Sequence, residues 1–204
     1  MTALNLNGYT DLPAGKIAFV VTYLEMFARP APRPLRIPEG VTLTRWENPD
    51  PDSYLPLFRA IGDEWLWFSR LLMPRDRLAA ILAEESRTIH VAVSAGRPVG
   101  LLELDFGDPA NVELAFFGLV PQETGRGLGR WLMEAGLDMA WGRAETRRFY
   151  VHTCTGDSPA ALGFYRASGF EPYRRALEVI DDPRLSGQLP DSVGPHLPII
   201  RPDR

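Results

Sequence analysis

The sequence predicts an α+β protein with a central mixed, mostly antiparallel β-sheet and helices on both faces. Three strand-like segments follow one another at 88–94, 98–106 and 112–120, with turns between them, and strand–helix alternation comes next. Consecutive strands followed by alternation indicate this fold class. Hydrophobic residues make up 45% of the 204 residues, which is enough for a sizeable core.

The first part of the chain predicts two strands and then helices. The segment 16–26 is β-branched and apolar on both faces, which is typical of a buried strand. Four prolines make 28–38 an extended connector. The segment 41–46 alternates like a half-buried strand. One helix or two short ones are expected over 52–72, and a short amphipathic helix is expected over 74–85.

The later elements alternate between helix and strand. A glycine-rich helix is expected to end near Trp141, followed by a strand at 148–155, a helix at 158–168 and a strand at 171–180. Serine is suited to the N-cap and glycine to the C-terminal cap, so Ser158 and Gly169 are expected to bound the last helix.

The chain is expected to comprise one main domain with two flanking segments. Residues 1–40 form an N-terminal extension that carries the extra strand and the proline-rich connector. The main domain spans 41–180, and frequent proline and glycine in 181–204 predict an irregular tail.

Composition excludes several functional classes. A formal charge of −4 disfavours a nucleic-acid-binding domain and fits an amine-bearing partner. The single cysteine, Cys154, excludes an intrachain disulfide and a cysteine-rich zinc site, and no metal is expected. No apolar run reaches the roughly 18 residues of a membrane span, and the first ten residues lack a signal-peptide layout. We therefore expect a cytoplasmic protein that does not bind membranes.

The strongest motif is a glycine-rich turn between a strand and a helix, Gln122-Glu123-Thr124-Gly125-Arg126-Gly127-Leu128-Gly129-Arg130. Backbone N–H groups at such a helix start bind phosphate with help from the helix dipole. A P-loop requires lysine and serine or threonine after its last glycine, and a dinucleotide fold requires a different glycine spacing. The turn matches instead the Gln/Arg-x-x-Gly-x-Gly/Ala pattern of the GNAT superfamily of N-acetyltransferases. A glycine-rich turn without a ligand stays open as the alternative.

A second motif strengthens this resemblance. Residues 158–170, Ser-Pro-Ala-Ala-Leu-Gly-Phe-Tyr-Arg-Ala-Ser-Gly-Phe, resemble the late GNAT pattern Asn-x-x-Ala-x-x-x-Tyr-x-x-x-Gly-Phe, with Ser158 in place of the usual asparagine. The resemblance covers about 41–180. It implies that acetyl-CoA binds as the cosubstrate between the strands 112–120 and 148–155.

The resemblance also implies which residues contact the cofactor. Pantetheine would lie against Leu119 and Val120, where Gly118 suits a bulge that frees backbone groups. The pyrophosphate would meet the turn. The expected cofactor-binding residues are Leu119, Val120, Gln122, Thr124, Gly125, Arg126, Gly127, Leu128, Gly129, Arg130 and Ser158.

Two residues are expected to carry the chemistry. Tyr165 matches the tyrosine that donates a proton toward the CoA sulfur in GNAT enzymes, and a core tyrosine is the alternative. Glu113, on the strand that leads to the cofactor, is expected to be the general base, directly or through water. A carboxylate that only contacts water at the strand end is the alternative for Glu113.

The expected acceptor contacts are less specific. Glu103 and Asp105 would form an acidic wall with Glu113 if the strand register placed them on its face. His152 is expected to face the site from the strand 148–155, and a hydrogen-bonded core histidine is the alternative. Other acceptor contacts would come from the helical region 52–72, namely Glu64, Trp65 and Trp67. One of the two tryptophans is expected to face the core, because residues i and i+2 do not share a helical face.

The expected function is acyl-CoA-dependent N-acyl transfer, with acetyl-CoA as donor and direct transfer in a ternary complex. The partner is a small-molecule or peptide amine, and a homodimer is possible. An inactive acyl-CoA-sensing module and an O-acyltransferase remain alternatives. GNAT folds usually end in two strands, whereas the sequence after Ile180 is unsuited to a strand, so 16–26 is expected to pair near the last strand.

Overall fold

The computed structural model describes residues 4–34 and 38–202. Its strands are β1 (Lys16–Met26), β2 (Val41–Arg45), β3 (Arg87–Ser94), β4 (Arg97–Asp105), β5 (Asn111–Leu119), β6 (Arg148–Cys154) and β7 (Glu171–Asp181). Its α-helices are α1 (Pro51–Gly62), α2 (Arg75–Leu82), α3 (Leu128–Trp141) and α4 (Ala161–Ala167), with short 3-10 turns at Asp63–Trp65 and Pro121–Glu123. The predicted fold class is confirmed.

All seven strands lie in one sheet, in the order β2-β3-β4-β5-β6-β1-β7. Every neighbouring pair is antiparallel except β5 and β6, which are parallel. The N-terminal strand therefore lies inside the sheet, where Val21 pairs with Cys154 of β6 on one side and with Ala176 of β7 on the other. Residues 35–37 of the proline-rich connector lie outside the described residues.

Helices cover the two faces of the sheet and bury separate apolar clusters. On one face, α3 and α4 pack over residues that include Leu24, Leu102 and Phe149. On the other face, α1 and α2 pack over residues that include Ile89 and Leu101. In the part of the chain that the structure describes, no helix is long and apolar enough to cross a membrane.

The irregular C-terminal segment is packed against the molecule. Leu189 and Val193 bury against Phe19 of β1 and Leu66 of the α1–α2 loop. Arg184 is 3% exposed and binds Asp182 at 2.7 Å, while it also donates to the carbonyl of Leu197. Because Arg184 satisfies a backbone carbonyl of the C-terminal segment, this segment keeps a fixed path although it contains no helix or strand.

Two boundaries differ from the sequence expectation. Helix α4 begins at Ala161, three residues after the expected N-cap Ser158, whose hydroxyl accepts from the Ala160 N–H within a turn. The region 52–72 contains α1, a 3-10 turn and a loop that begins with Leu66 at φ 53°.

We predict that β1 is required for folding. Leu24 is fully buried and Val20 is 43% exposed on the same strand. Leu24→Ala should lower the free energy of unfolding by about 2–5 kcal/mol, since it leaves a cavity in the core, whereas Val20→Ala should cost less than about 1 kcal/mol. Deletion of residues 1–27 should lower the melting temperature further. Urea titrations of the two variants provide the comparison, and equal stabilities would show that β1 is dispensable.

Candidate active site

The candidate site is a cavity of about 930 Å³ where β5 and β6 separate. The two strands pair only through Asn111–Glu113 and Arg148–Tyr150, and beyond that point their facing edges are apart. Twelve of the residues expected at the site line this cavity: Glu64, Trp65, Trp67, Leu119, Thr124, Gly125, Gly127, Gly129, Arg130, His152, Ser158 and Tyr165.

The glycine turn presents its backbone to one end of the cavity. Gly125 and Gly127 adopt φ values of 76° and 84°, and a Cβ placed at either would meet nothing within 4 Å. Gly127 precedes α3 and no side chain caps this helix start. The first N–H groups of α3 are therefore available to an anion at the positive end of the helix dipole.

Four of the expected cofactor contacts do not line the cavity with their side chains. Arg126 extends outward and pairs with Glu123 at 3.6 Å. Leu128 is 2% exposed and packs in the core, so only its backbone can face a ligand. The Val120 N–H is used by the carbonyl of Val99, and Gln122 is exposed in a 3-10 turn.

The bulge in β5 lies at Ala115, not at Gly118 as expected. Phe116 pairs with Glu103 and Leu114 with Leu104, which leaves Ala115 without an opposite residue. The extra residue reverses the alternation of side chains. Odd-numbered residues before the bulge therefore lie on the same face of the sheet as even-numbered residues after it. Glu113 therefore does not share a face with Phe117 and Leu119.

Gly118 has a packing role. A Cβ at this position would lie 2.4 Å from the Ile61 side chain and 3.2 Å from the Trp67 ring. Glycine is needed because α1 and the indole approach the strand closely. The absence of a side chain thus brings Trp67 against the wall of the cavity.

Tyr165 reaches the cavity from α4. The residue is 8% exposed, and its ring packs edge-to-face against Phe117 and Phe170. Burial raises the pKa of the Tyr165 phenol above its usual value of 10, and Asp157 adds to the shift. The phenol is therefore protonated at neutral pH, as a proton donor must be.

Glu113 lies behind the cavity and contacts it through His152. Its carboxylate is 3.6 Å from Nδ1 of His152 and accepts a hydrogen bond from the Tyr150 hydroxyl at 3.4 Å. His152 itself lines the cavity. The contact with Glu113 is the main reason that the pKa of His152 lies above its usual 6.5, and burial opposes it.

Glu103 does not contact the cavity. It is fully buried and binds Arg70 at 2.6 Å, Arg87 at 2.8 Å and the Tyr54 hydroxyl at 2.7 Å. Asp105 does lie opposite Glu113 in the strand register, but Arg87 binds both Asp105 and Glu103. Neither acid is among the described residues that line the cavity, so the expected acidic wall does not face it. Arg70 also lies 5.0 Å from the centre of the Phe116 ring.

Both tryptophans line the cavity, and Trp67, as expected of one of the pair, also packs against the core cluster that α1 and α2 bury. The 3-10 turn ends at Trp65, and the left-handed conformation of Leu66 reverses the chain direction. Leu66 becomes the core residue at 2% exposure, so the helical-face argument does not apply to Trp65 and Trp67. The Trp67 indole N–H donates to Asp157 at 3.1 Å.

The sequence analysis missed two carboxylates of the cavity, Asp157 and Glu178. Asp157 follows β6 and accepts hydrogen bonds from the Thr153 hydroxyl, the Cys154 N–H and Trp67. Glu178 lies on β7 opposite Phe19 of β1. The Thr-Gly-Asp-Ser turn ahead of the second motif was a usable signal for Asp157, whereas Glu178 reaches the cavity only because β1 and β7 pair.

Comparison with known proteins agrees with this architecture. The model of the family described as Acetyltransferase (GNAT) family matches residues 43–170. Mycothiol acetyltransferase from two strains of Mycobacterium leprae is 31% identical over 110 residues, which is 50% of this chain and 34% of the relative. The chain therefore spans about a third of the length of these relatives.

Solved structures show the same fold at low sequence identity. A conserved protein of unknown function from Staphylococcus epidermidis superposes with a TM-score of 0.59 at 14% identity, covering 82% of this chain and 64% of that protein. A GCN5-related N-acetyltransferase from Sphaerobacter thermophilus gives 0.57 at 16% identity, covering 80% and 52%. With the family model matching more than half of its length, this chain belongs to the GNAT family of acetyltransferases.

Proposed function

We propose that this protein is an acyl-CoA-dependent N-acyltransferase that moves an acetyl group from acetyl-CoA to an amine. The observation that carries the proposal is one cavity that is lined by the open glycine turn, by Tyr165 and by His152. A thioester placed between these residues would lie next to a proton donor and a proton acceptor. These are the groups that aminolysis of a thioester requires.

The glycine turn and Arg130 would hold the pyrophosphate of CoA. The N–H groups of the turn and of the first residues of α3 supply the hydrogen bonds, and Arg130 adds a charge-assisted contact. Pantetheine would then lie along Leu119, in the gap between β5 and β6.

The geometry favours direct transfer over a covalent acyl-enzyme. Cys154 lines the cavity, but burial raises the pKa of its thiol to about 11. A thiol is a poor nucleophile when protonated, so Cys154 lacks the activation of a catalytic cysteine. The amine would instead attack the bound thioester directly.

His152 is better placed than Glu113 to accept the proton of the amine. The imidazole faces the cavity, whereas the carboxylate lies behind it and holds Nδ1. This contact leaves Nε2 as the nitrogen that can take a proton. Glu113 would orient the ring and stabilise its charged form, and Tyr165 would protonate the departing thiolate.

We predict that Gly127→Asp abolishes CoA binding in a folded protein. The substitution places bulk and negative charge where the turn is open, next to the phosphates. Gly187→Asp is the matched control, since Gly187 has a similar φ of 73° and open surroundings but lies in the C-terminal segment. Calorimetric titration with CoA measures both. Equal affinity in the two variants would place the pyrophosphate elsewhere.

We predict that Tyr165→Phe lowers kcat about 100-fold or more and leaves acetyl-CoA affinity nearly unchanged. The substitution keeps the ring packing but removes the proton donor. Tyr173→Phe, at a tyrosine that is 43% exposed on β7, serves as the control. Free thiol release measures turnover, and full activity of Tyr165→Phe would restrict this residue to a role in the core.

We predict that Glu113→Gln shifts the acidic limb of kcat/KM toward lower pH. Neutral His152 is the active base, so the rate rises as pH passes its pKa, which Glu113 raises. Removal of the Glu113 carboxylate lowers the pKa of His152, so the acidic limb of the pH profile moves to lower pH. His152→Gln should instead remove the limb and reduce the rate about 100-fold. Loss of the limb in Glu113→Gln, with the limb retained in His152→Gln, would assign the base to Glu113.

A further inference from the structure

The lining of the cavity carries charges of both signs. Among the described residues that line it, Arg130 beside the glycine turn is the one lysine or arginine. Three carboxylates from separate elements also line it: Glu64 from the α1–α2 loop, Asp157 from the β6–α4 turn and Glu178 from β7. Arg130 and the turn suit phosphate, and the carboxylates suit a cation.

The carboxylates at the rim are not neutralised by the protein. Buried acids elsewhere bind arginines, as Glu103 binds Arg70 and Glu134 binds Arg29. Across 4–34 and 38–202, no ion pair involves Glu64 or Glu178, and both residues are exposed. Their charges are therefore available to a ligand that enters the cavity.

Asp157 and Glu178 act on the reacting region. After Glu113, both carboxylates contribute to the raised pKa of His152. Three neutral donors hold the Asp157 carboxylate in place at the cavity wall: the Trp67 indole N–H, the Thr153 hydroxyl and the Cys154 N–H. A cationic amine is thus attracted toward His152 before it loses its proton.

Aromatic side chains form part of the cavity wall. Trp65, Trp67, Phe68 and Phe19 line the same cavity as the carboxylates, and Trp67 is held in place by Asp157. Such walls suit methylene groups, and indole faces attract ammonium ions. The cavity therefore combines aromatic walls with one partly buried carboxylate, Asp157, and two exposed carboxylates, Glu64 and Glu178.

We propose that the acceptor is a dication, with a primary amine that reacts beside His152 and a second ammonium group held at the rim by Glu178 and Glu64. An apolar spacer that joins the two charges would lie along the aromatic walls. This inference rests on the proposed N-acyl transfer. The reacting ammonium group first gives one proton to neutral His152. The free amine nitrogen then forms a bond to the acetyl carbon, the carbon–sulfur bond breaks, Tyr165 protonates the thiolate, and the nitrogen gives its second proton to the Tyr165 phenolate.

Acceptors of equal length test the proposal. Acetyl transfer is measured as free thiol release with α,ω-diaminoalkanes, n-alkylamines and ω-amino acids, each with three to six carbons. The best diamine should exceed the matched alkylamine in kcat/KM by about tenfold, since two carboxylates contribute, and the amino acid should be poorest. The advantage of the diamine should shrink as salt is raised, because the rim charges are exposed.

Two variants on β7 test whether Glu178 causes the preference for diamines. Glu178→Gln should reduce the ratio of diamine to alkylamine turnover about fivefold, whereas Glu171→Gln, on the same strand but outside the cavity, should leave this ratio unchanged. Equal use of diamines and alkylamines at every length, or an unchanged ratio in Glu178→Gln, would overturn the dication and leave N-acyl transfer standing. Transfer to none of the amines would overturn both.

Discussion

Strands β5 and β6 pair through three residues each and then separate, and the site depends on this gap. Parallel strands normally continue their ladder, so a separation in mid-sheet requires support from both sides. On one face, α3 and α4 pack against Leu114 and Phe117. On the other face, the Trp67–Asp157 hydrogen bond connects the α1–α2 loop to the end of β6. The cavity is therefore a consequence of how the helices hold two strands apart.

A buried charge cluster supports the face of the sheet that α1 covers beside this gap. Glu103 sits on β4 opposite Phe116, next to the bulge at Ala115, and binds both Arg70 and Arg87. Removal of one partner from a buried ion pair typically costs about 3–5 kcal/mol, because the other charge stays without compensation. Arg70 belongs to the loop that follows Trp65 and Trp67. Arg70 therefore connects the cavity-lining loop to the sheet. Glu103, which was expected to contact the acceptor, instead holds Arg70 in place.

The N-terminal strand gives the site its outer wall. Because β1 lies between β6 and β7, Phe19 and Glu178 come to face the cavity from strands at opposite ends of the chain. The C-terminal segment packs on the same face, where His196 approaches Trp65 at 5.6 Å between ring centroids and its Nε2 lies 3.1 Å from the Gly156 carbonyl oxygen. Segments outside the range of the family model thus contribute Phe19 and Glu178 to the cavity wall, whereas the glycine turn lies inside that range.

The sequence by itself determined the order of elements, the glycine turn and the position of Tyr165. These follow from local rules: alternation and β-branching predict strands, and glycines before an amphipathic run predict an open helix start. The tertiary structure decided which carboxylates face the cavity. A single bulge at Ala115 put Glu113 on the face opposite Phe117 and Leu119, because side-chain direction in a strand reverses with each residue and the bulge adds one. Glu178 joined the site through the long-range pairing of β1 and β7, which no local pattern encodes, whereas Asp157 is placed by the local turn that follows β6.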